Sequence, residues 1–143
     1  MGSLYCLHCN DCSNNVELCL GIGFRYYPEN IFSKGKKSII FDLVKDENII
    51  NDIKEYKKKG AVLNEDYGNT MYYCKECKTI EVKFYFSIKL GKEIYKPKYI
   101  CKYCNKELEV IDENDLEYIN SLEIKCTKCG GNNTRFYESG DWD

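Results

Sequence analysis

The 143-residue sequence predicts an α+β fold, in which small antiparallel β hairpins flank an inserted helical segment. Three observations predict this fold. Residues 79–90 alternate polar and apolar side chains, as a half-buried strand does. Residues 46–60 lie in a long cysteine-free stretch and have the apolar spacing of a helix. Four Cys-x-x-Cys pairs punctuate the rest of the chain, namely Cys6/Cys9, Cys74/Cys77, Cys101/Cys104 and Cys126/Cys129.

The first predicted element is a hairpin within residues 4–27, built around the first cysteine pair. Asn10 directly follows this pair, at a place where a tight turn often needs the left-handed backbone that Asn tolerates. Asn105 and Gly130 hold the same place after the third and fourth pairs, which predicts a common turn geometry. Lys78 departs from this pattern after the second pair.

The stretch 29–68 contains no cysteine and is predicted to be helical in two parts. A short helical segment is expected over 38–44. Asp46 is a suitable N-cap for a second helix, which the lysines of 57–59 complement at its C-terminal end and Gly60 ends. The apolar stripe of this helix comprises Ile49, Ile50, Ile53 and Tyr56.

From residue 71 onward the pattern changes to strands. The alternation over 79–90 places six apolar side chains on one face, Ile80, Val82, Phe84, Phe86, Ile88 and Leu90. Residues 94–100 can return as a partner strand, with Pro97 indicating an edge or an interruption. Three short elements follow, a strand over 108–111, a helical turn over 112–121 and a closing hairpin over 122–137.

The cysteine spacing favours metal sites over disulfides. Two residues between cysteines let a tight turn aim both sulfurs at one ion, and four thiolates complete a structural Zn²⁺ site. The sequence starts without the basic and apolar segments of an export signal, and it lacks the ~18 consecutive apolar residues needed to cross a bilayer. We therefore expect a cytoplasmic protein without membrane contact, whose eight paired thiols bind two Zn²⁺ ions.

Two groupings of the four pairs are open. The chain-order grouping puts Cys6/Cys9 with Cys74/Cys77, and Cys101/Cys104 with Cys126/Cys129. It is favoured because consecutive hairpins usually neighbour in space. It predicts a first module at 4–97, with a helical insertion of about 29–68, and a second module at 98–143. The alternative joins the two inner pairs and, separately, the two terminal pairs.

The motifs Cys-Lys-Tyr-Cys-Asn (101–105) and Cys-Thr-Lys-Cys-Gly (126–130) resemble the knuckles of the zinc-ribbon (rubredoxin-like) family. The resemblance covers 98–137 best and extends to the flanks of the other two pairs. It implies β hairpins with structural zinc and no particular activity, since ribbons occur in nucleic-acid machinery, enzymes and adaptors. The whole chain also resembles bacterial proteins that carry several such knuckles.

Cys12, Cys19 and His8 stand outside the predicted sites. The run Cys6-x₂-Cys9-x₂-Cys12 resembles an iron–sulfur motif, although the usual Cys-Pro spacing is absent. An iron–sulfur or thiol redox protein is therefore the alternative function. Both extra cysteines are otherwise expected to be small buried residues or spare thiols. His8 is expected to face solvent from the first knuckle.

The residues favour a binding protein over an enzyme. Catalytic zinc keeps an open position and commonly uses His or a carboxylate, whereas this chain offers one histidine and eight paired thiols. No Gly-rich phosphate loop or nucleophile elbow is present in the sequence. We therefore expect neither catalysis nor a small-molecule substrate.

Two partner classes are open. Residues 71–106 contain nine lysines interleaved with aromatic residues, which favours phosphate contacts and base stacking. The predicted nucleic-acid contacts are Lys83, Tyr85, Lys89, Lys98 and Lys102. A solvated strand face with core aromatics explains the same pattern.

The acidic block 107–123, with seven carboxylates and no lysine or arginine, favours a protein partner instead. Trp142 lies in the acidic tail. It either packs back on the fold or anchors such a partner, and packing is favoured. The net charge of −2 gives no general attraction to nucleic acid.

Overall fold

A computed structural model describes residues 2–33 and 38–143 of the chain. The predicted α+β class is confirmed, with antiparallel strands in small sheets and short helices between them. The strands are β1 (Gly2–Cys9), β2 (Asn15–Leu20), β3 (Val62–Leu63), β4 (Gly68–Cys74), β5 (Thr79–Tyr85), β6 (Ile88–Leu90), β7 (Glu93–Tyr95), β8 (Glu109–Ile111) and β9 (Thr134–Trp142). The helices are α1 (Pro28–Ile31), α2 (Ile40–Val44), α3 (Glu47–Lys58) and α4 (Leu116–Ser121). In the described ranges, no helix is long and apolar enough to span a bilayer.

Helix α3 forms where the sequence predicts it. The carboxylate of Asp46 accepts hydrogen bonds from the amides of Asn48 and Ile49, which satisfies two donors at the helix start. Ile49 and Ile53 are buried on the predicted apolar stripe. Gly60, with φ of 88°, follows the helix end in the left-handed conformation that glycine adopts without strain.

The strand predicted over 79–90 is divided between two sheets. β5 pairs with β4, whereas β6 pairs with β3 and β7, so the chain changes sheets at Phe86 and Ser87. The Ser87 carbonyl accepts a hydrogen bond from the Asn64 amide, and the Asn64 side chain donates to the Ser87 hydroxyl at 2.8 Å. These two bonds satisfy a buried polar residue at the crossing. The return strand β7 ends just before Lys96 and Pro97, because proline has no backbone N–H to donate to a neighbouring strand.

Two of the three sheets have the same topology. The terminal sheet has the order β2-β1-β9, and the central sheet has the order β5-β4-β8. Each contains a hairpin plus a third strand that follows a distant cysteine pair. β8 and β9 both come after residue 98, yet they pair with β4 and β1, which come before it. The central sheet is thus nested in the sequence between the hairpin and the last strand of the terminal sheet.

Two apolar cores meet at the central sheet, on opposite faces of β4. Met71 and Tyr73 face the core shared with the terminal sheet and α4, where Phe136 stacks on Tyr5 at a ring distance of 5.0 Å. Tyr72 and its neighbours on the other face join the core built with the helices. The central sheet is thus buried on both faces. One cluster of cysteines lies at the strand ends of the terminal sheet, and the other lies at the strand ends of the central sheet.

Trp142 packs back on the fold, as the sequence favours. Its indole N–H donates to the Leu20 carbonyl at 2.8 Å, and its ring contacts Tyr26 edge to face at 6.0 Å. A methyl group at Gly23 would lie 2.7 Å from this ring, which shows how closely the backbone approaches it. The tail is therefore part of the folded terminal sheet.

Changing Trp142 to alanine is expected to lower the free energy of unfolding by about 2–4 kcal/mol, because a half-buried indole and its hydrogen bond are lost. Trp142→Phe keeps an aromatic ring and loses the N–H, so the free energy of unfolding is expected to fall by only about 1 kcal/mol. Urea unfolding of the metal-loaded protein, followed by circular dichroism because the variants lack tryptophan, measures both. Equal stability of wild type and the alanine variant would show that the tail does not support the sheet.

Candidate metal centres

The structure places eight cysteines in two groups of four. The terminal quartet comprises Cys9, Cys12, Cys126 and Cys129. The central quartet comprises Cys74, Cys77, Cys101 and Cys104. In each group the four Sγ atoms lie within 4.8 Å of one another. The two inner pairs therefore meet each other, and the first and last knuckles meet each other. The favoured chain-order grouping is wrong, and the chain follows the alternative with Cys12 in place of Cys6.

Cys6 lies outside both quartets, and Cys12 holds the ligand position that the sequence predicts for Cys6. The reason is strand alternation in β1. Tyr5 and Leu7 point into the core, so Cys6 points to the opposite face, where its strand neighbour on β9 is Tyr137. β1 ends at Cys9, and only beyond that residue does the chain turn. The turn therefore aims Cys9 and Cys12 together, and Cys6 stays within the strand.

All four knuckles share one backbone geometry. The residue directly after the second cysteine has a left-handed backbone, with φ of 60° at Ser13, 58° at Lys78, 60° at Asn105 and 73° at Gly130. Its amide donates to the carbonyl of the first cysteine at 2.8–2.9 Å in every case. The expectation is confirmed for Asn105 and Gly130, and Lys78 conforms despite its side chain. For Asn10 it is wrong, because Ser13 holds that position.

Lys78 carries the largest flexible side chain at this left-handed position. A non-glycine residue there costs roughly 1–2 kcal/mol, whereas glycine costs about 0.5–1 kcal/mol of chain entropy. Lys78→Gly is therefore expected to raise the free energy of unfolding by about 0.5–1 kcal/mol, and Lys78→Val to lower it. Chemical denaturation at fixed zinc concentration measures both variants. A glycine variant less stable than wild type would contradict this account of the turn.

The sulfur separations match a metal-thiolate tetrahedron. Zn–S bonds of about 2.3 Å place tetrahedral ligand atoms about 3.8 Å apart, whereas a disulfide bond measures about 2.05 Å. The Sγ–Sγ separations are 3.6 Å for Cys9–Cys129, 3.6 Å for Cys12–Cys126, 3.5 Å for Cys74–Cys104 and 3.9 Å for Cys77–Cys101. All ten cysteines are free thiols. Each quartet thus has the dimensions of a four-thiolate site.

Backbone amides prepare one thiol of each quartet for metal binding. The N–H groups of Cys129 and Lys128 point at Cys126 and lower the pKa of its thiol to about 6. Burial opposes ionisation of Cys101, but the amides of Tyr103 and Cys104 outweigh it and lower the pKa of this thiol to about 7. Near neutral pH the Cys126 thiol is therefore mostly ionised and the Cys101 thiol about half ionised, so each quartet offers an incoming metal ion a thiolate.

The two quartets differ in accessibility. Each quartet contains two buried cysteines, Cys74 and Cys101 in the central one and Cys9 and Cys126 in the terminal one. The difference lies at the last cysteine of each quartet, since Cys129 is exposed and Cys104 is only partly exposed. A competing chelator therefore reaches the terminal quartet more readily.

The remaining thiols and the histidine lie apart from the quartets. Cys6 is buried, with Sγ 3.6 Å from the Asn15 side-chain oxygen. His8 Nδ1 lies 2.6 Å from the same oxygen, on the outer face of the terminal sheet. Cys19 is exposed and is a spare thiol, whereas Cys12, for which the sequence predicts the same fate, is a quartet member.

The predicted nucleic-acid residues have different kinds of neighbours. Lys83 lies with its amine 5.8 Å from the ring of the buried Tyr99, so it covers a core residue. Lys102 extends over the Tyr103 ring at 5.0 Å and has its amine 3.9 Å from a Glu81 oxygen.

Two of the other three predicted residues share their surroundings with acids. Lys98 lines a depression together with Asp52 beside α3. Tyr85 lines another with Asp112. Lys89 is exposed on β6. Acidic side chains thus accompany Lys102, Lys98 and Tyr85.

No family model matches this sequence. No curated protein and no solved structure matches it either. The resemblance to zinc ribbons is therefore carried by the two quartets and by the knuckle geometry that their four turns share.

Proposed function

We propose that this protein is a non-enzymatic binding scaffold whose fold is held together by two structural Zn²⁺ ions, one in each quartet. The single observation that carries the proposal is the arrangement of eight sulfurs into two groups of four, with the Sγ atoms of each group within 4.8 Å of one another. Iron would accept the same thiolate set, so an iron-containing redox protein is the alternative.

The ligand chemistry supports a structural role. Each quartet supplies four thiols, which is the closed coordination of structural zinc, and catalytic zinc keeps one position for water. Within the described ranges, His8 lies outside both quartets. Zinc-bound thiolates also require reduced cysteines, which fits a reducing compartment such as the cytoplasm.

Each metal ion would connect segments far apart in sequence. The terminal quartet joins a turn after β1 to a turn before β9, and the Cys9 and Cys129 thiols are separated by 120 residues. The central quartet ties the β4–β5 turn to the turn before β8. Closing such long loops constrains the unfolded chain strongly, as a cross-link does.

Elemental analysis of untagged protein tests the proposal. Two equivalents of zinc per chain and a colourless solution are expected. Visible absorbance with iron in place of zinc would instead establish the redox alternative. A folded preparation that contains neither metal would overturn both.

One observation favours nucleic acid as a partner. Tyr103 is 64% exposed at the tip of the third knuckle, with the Lys102 amine over its ring. An exposed ring beside a cation can stack on a base, worth about 1–3 kcal/mol. Fluorescence anisotropy with single-stranded RNA and DNA at low and moderate salt tests this role. Binding that Tyr103→Ala leaves unchanged would exclude the knuckle as the contact.

A further inference from the structure

The outer edge of β8 carries an inference about the partner. β8 (Glu109–Ile111) is the last strand in the order β5-β4-β8 and pairs only with β4. Within the ranges 2–33 and 38–143, no strand pairs with the other side of residues 109–111, whereas the two residues before them are paired, since Glu107 bridges Ile100 and the Leu108 amide donates to the Tyr99 carbonyl. An edge strand presents N–H and C=O groups that a further strand can pair with.

A depression of about 700 Å³ runs along this edge. It is lined by residues 107–112, together with Asp115 and Tyr118 from the start of α4. Val110 is 53% exposed and Tyr118 is 46% exposed, so apolar surface is available beside the strand. An extended segment lying here would contact backbone and apolar side chains at once.

The charge of the depression specifies what can occupy it. Its charged lining residues are all acids, Glu107, Glu109, Asp112 and Asp115. The Lys75 amine approaches from the second knuckle and pairs with Glu109 at 2.9 Å, with both side chains largely exposed. This pair shows that an amine carried on a neighbouring backbone reaches the edge carboxylates. Phosphate groups would be repelled by the same carboxylates.

We propose that the β8 edge binds an extended Lys/Arg-rich segment of a partner protein, which adds to the central sheet as a further strand. Main-chain hydrogen bonds to β8 supply affinity, and alternate basic side chains on the carboxylates select the sequence. This inference rests on the proposed role as a binding scaffold and names the class of partner.

The test uses the full chain with its metal and a fluorescein-labelled heptapeptide of alternating Lys and Val. Anisotropy at low salt reports binding, and a Glu/Val heptapeptide is the charge-reversed control. The variant Glu107→Gln/Glu109→Gln removes two carboxylates from the edge. Its matched control, Glu55→Gln/Glu65→Gln, makes the same change of net charge at exposed positions elsewhere.

The edge variant is expected to weaken peptide binding by about 3- to 10-fold, whereas the control stays within about twofold of wild type. A Lys/Val peptide methylated at every backbone nitrogen keeps its charge and cannot donate to the sheet, so its binding is expected to be lost. In amide spectra, peptide shifts are expected at residues 109–111.

Equal weakening in both carboxamide variants, or undiminished binding of the methylated peptide, would overturn strand addition and leave only general charge attraction. Absence of peptide binding, or RNA displacing the peptide from this edge, would also overturn it. Metal content is counted separately on the same sample. Two zinc ions without peptide binding would reject the partner and leave the scaffold. Peptide binding at the edge without zinc would reject the metal assignment alone.

Discussion

Replacing Cys12 by serine is expected to remove one equivalent of zinc, whereas the same change at Cys6 is expected to leave both equivalents bound. Cys12 Sγ lies 3.6 Å from Cys126 Sγ in the terminal quartet, while Cys6 lies within strand β1 on the face opposite Tyr5 and Leu7. Structural zinc contributes apparent binding energies of about 10–16 kcal/mol in small modules, so a missing thiolate has a large effect. Native mass spectrometry and elemental analysis count the metal in each variant.

The exposed Cys19 supplies the control for this comparison. Cys19→Ser changes a thiol outside both quartets and is expected to keep two zinc ions. The terminal quartet would be wrong if Cys6→Ser lost metal and Cys12→Ser kept it. In that case the first knuckle would be built on Cys6 and Cys9, with β1 shortened.

Chelation of both metal ions is expected to unfold the protein, with the terminal quartet losing its ion first. Each quartet contains two buried cysteines, but the terminal quartet includes the exposed Cys129, whereas its counterpart Cys104 in the central quartet is partly buried. Binding energies of about 10–16 kcal/mol per structural zinc are comparable with the total stability of a domain, about 5–15 kcal/mol. A colorimetric zinc indicator, with circular dichroism recorded on the same sample, resolves the two steps.

Single-site variants separate the two contributions. Cys126→Ser and Cys101→Ser are each expected to retain one zinc ion. Cys101→Ser is expected to lose more structure, because the central sheet is shared by both apolar cores. A chelated protein that keeps its dichroism and a cooperative unfolding transition would contradict the role of the metal in holding the fold.

The sequence predicts the elements whose signals are local. Helix α3 is specified within its own residues, by the Asp46 cap, the apolar stripe and Gly60, and all three act as expected. The strand over 79–90 is predicted as one unit but is divided at Phe86 and Ser87. Its alternation is continuous and does not mark the break. The chain changes sheets where Ser87 is hydrogen-bonded to Asn64, a residue 23 positions earlier in the sequence.

The choice between Cys6 and Cys12 could not be made from spacing, since both lie three residues from Cys9. A usable signal was present in the alternation of Tyr5 and Leu7 with Cys6, which assigns Cys6 to a strand and not to a turn. Ser13 holds the position that Asn105 and Gly130 hold in their knuckles, but serine is not a residue type that indicates a left-handed backbone. Its left-handed backbone follows from where the strand ends.

The amino-acid sequence by itself determined the α+β class, three of the four cysteine knuckles as turns and the course of α3, because each depends on residues within a few positions of one another. Only the tertiary structure decided which knuckles share a quartet. That grouping depends on β9 pairing with β1 and β8 pairing with β4, contacts between segments far apart in the chain. Such pairing is set by the burial of two cores around the central sheet, which no local spacing encodes.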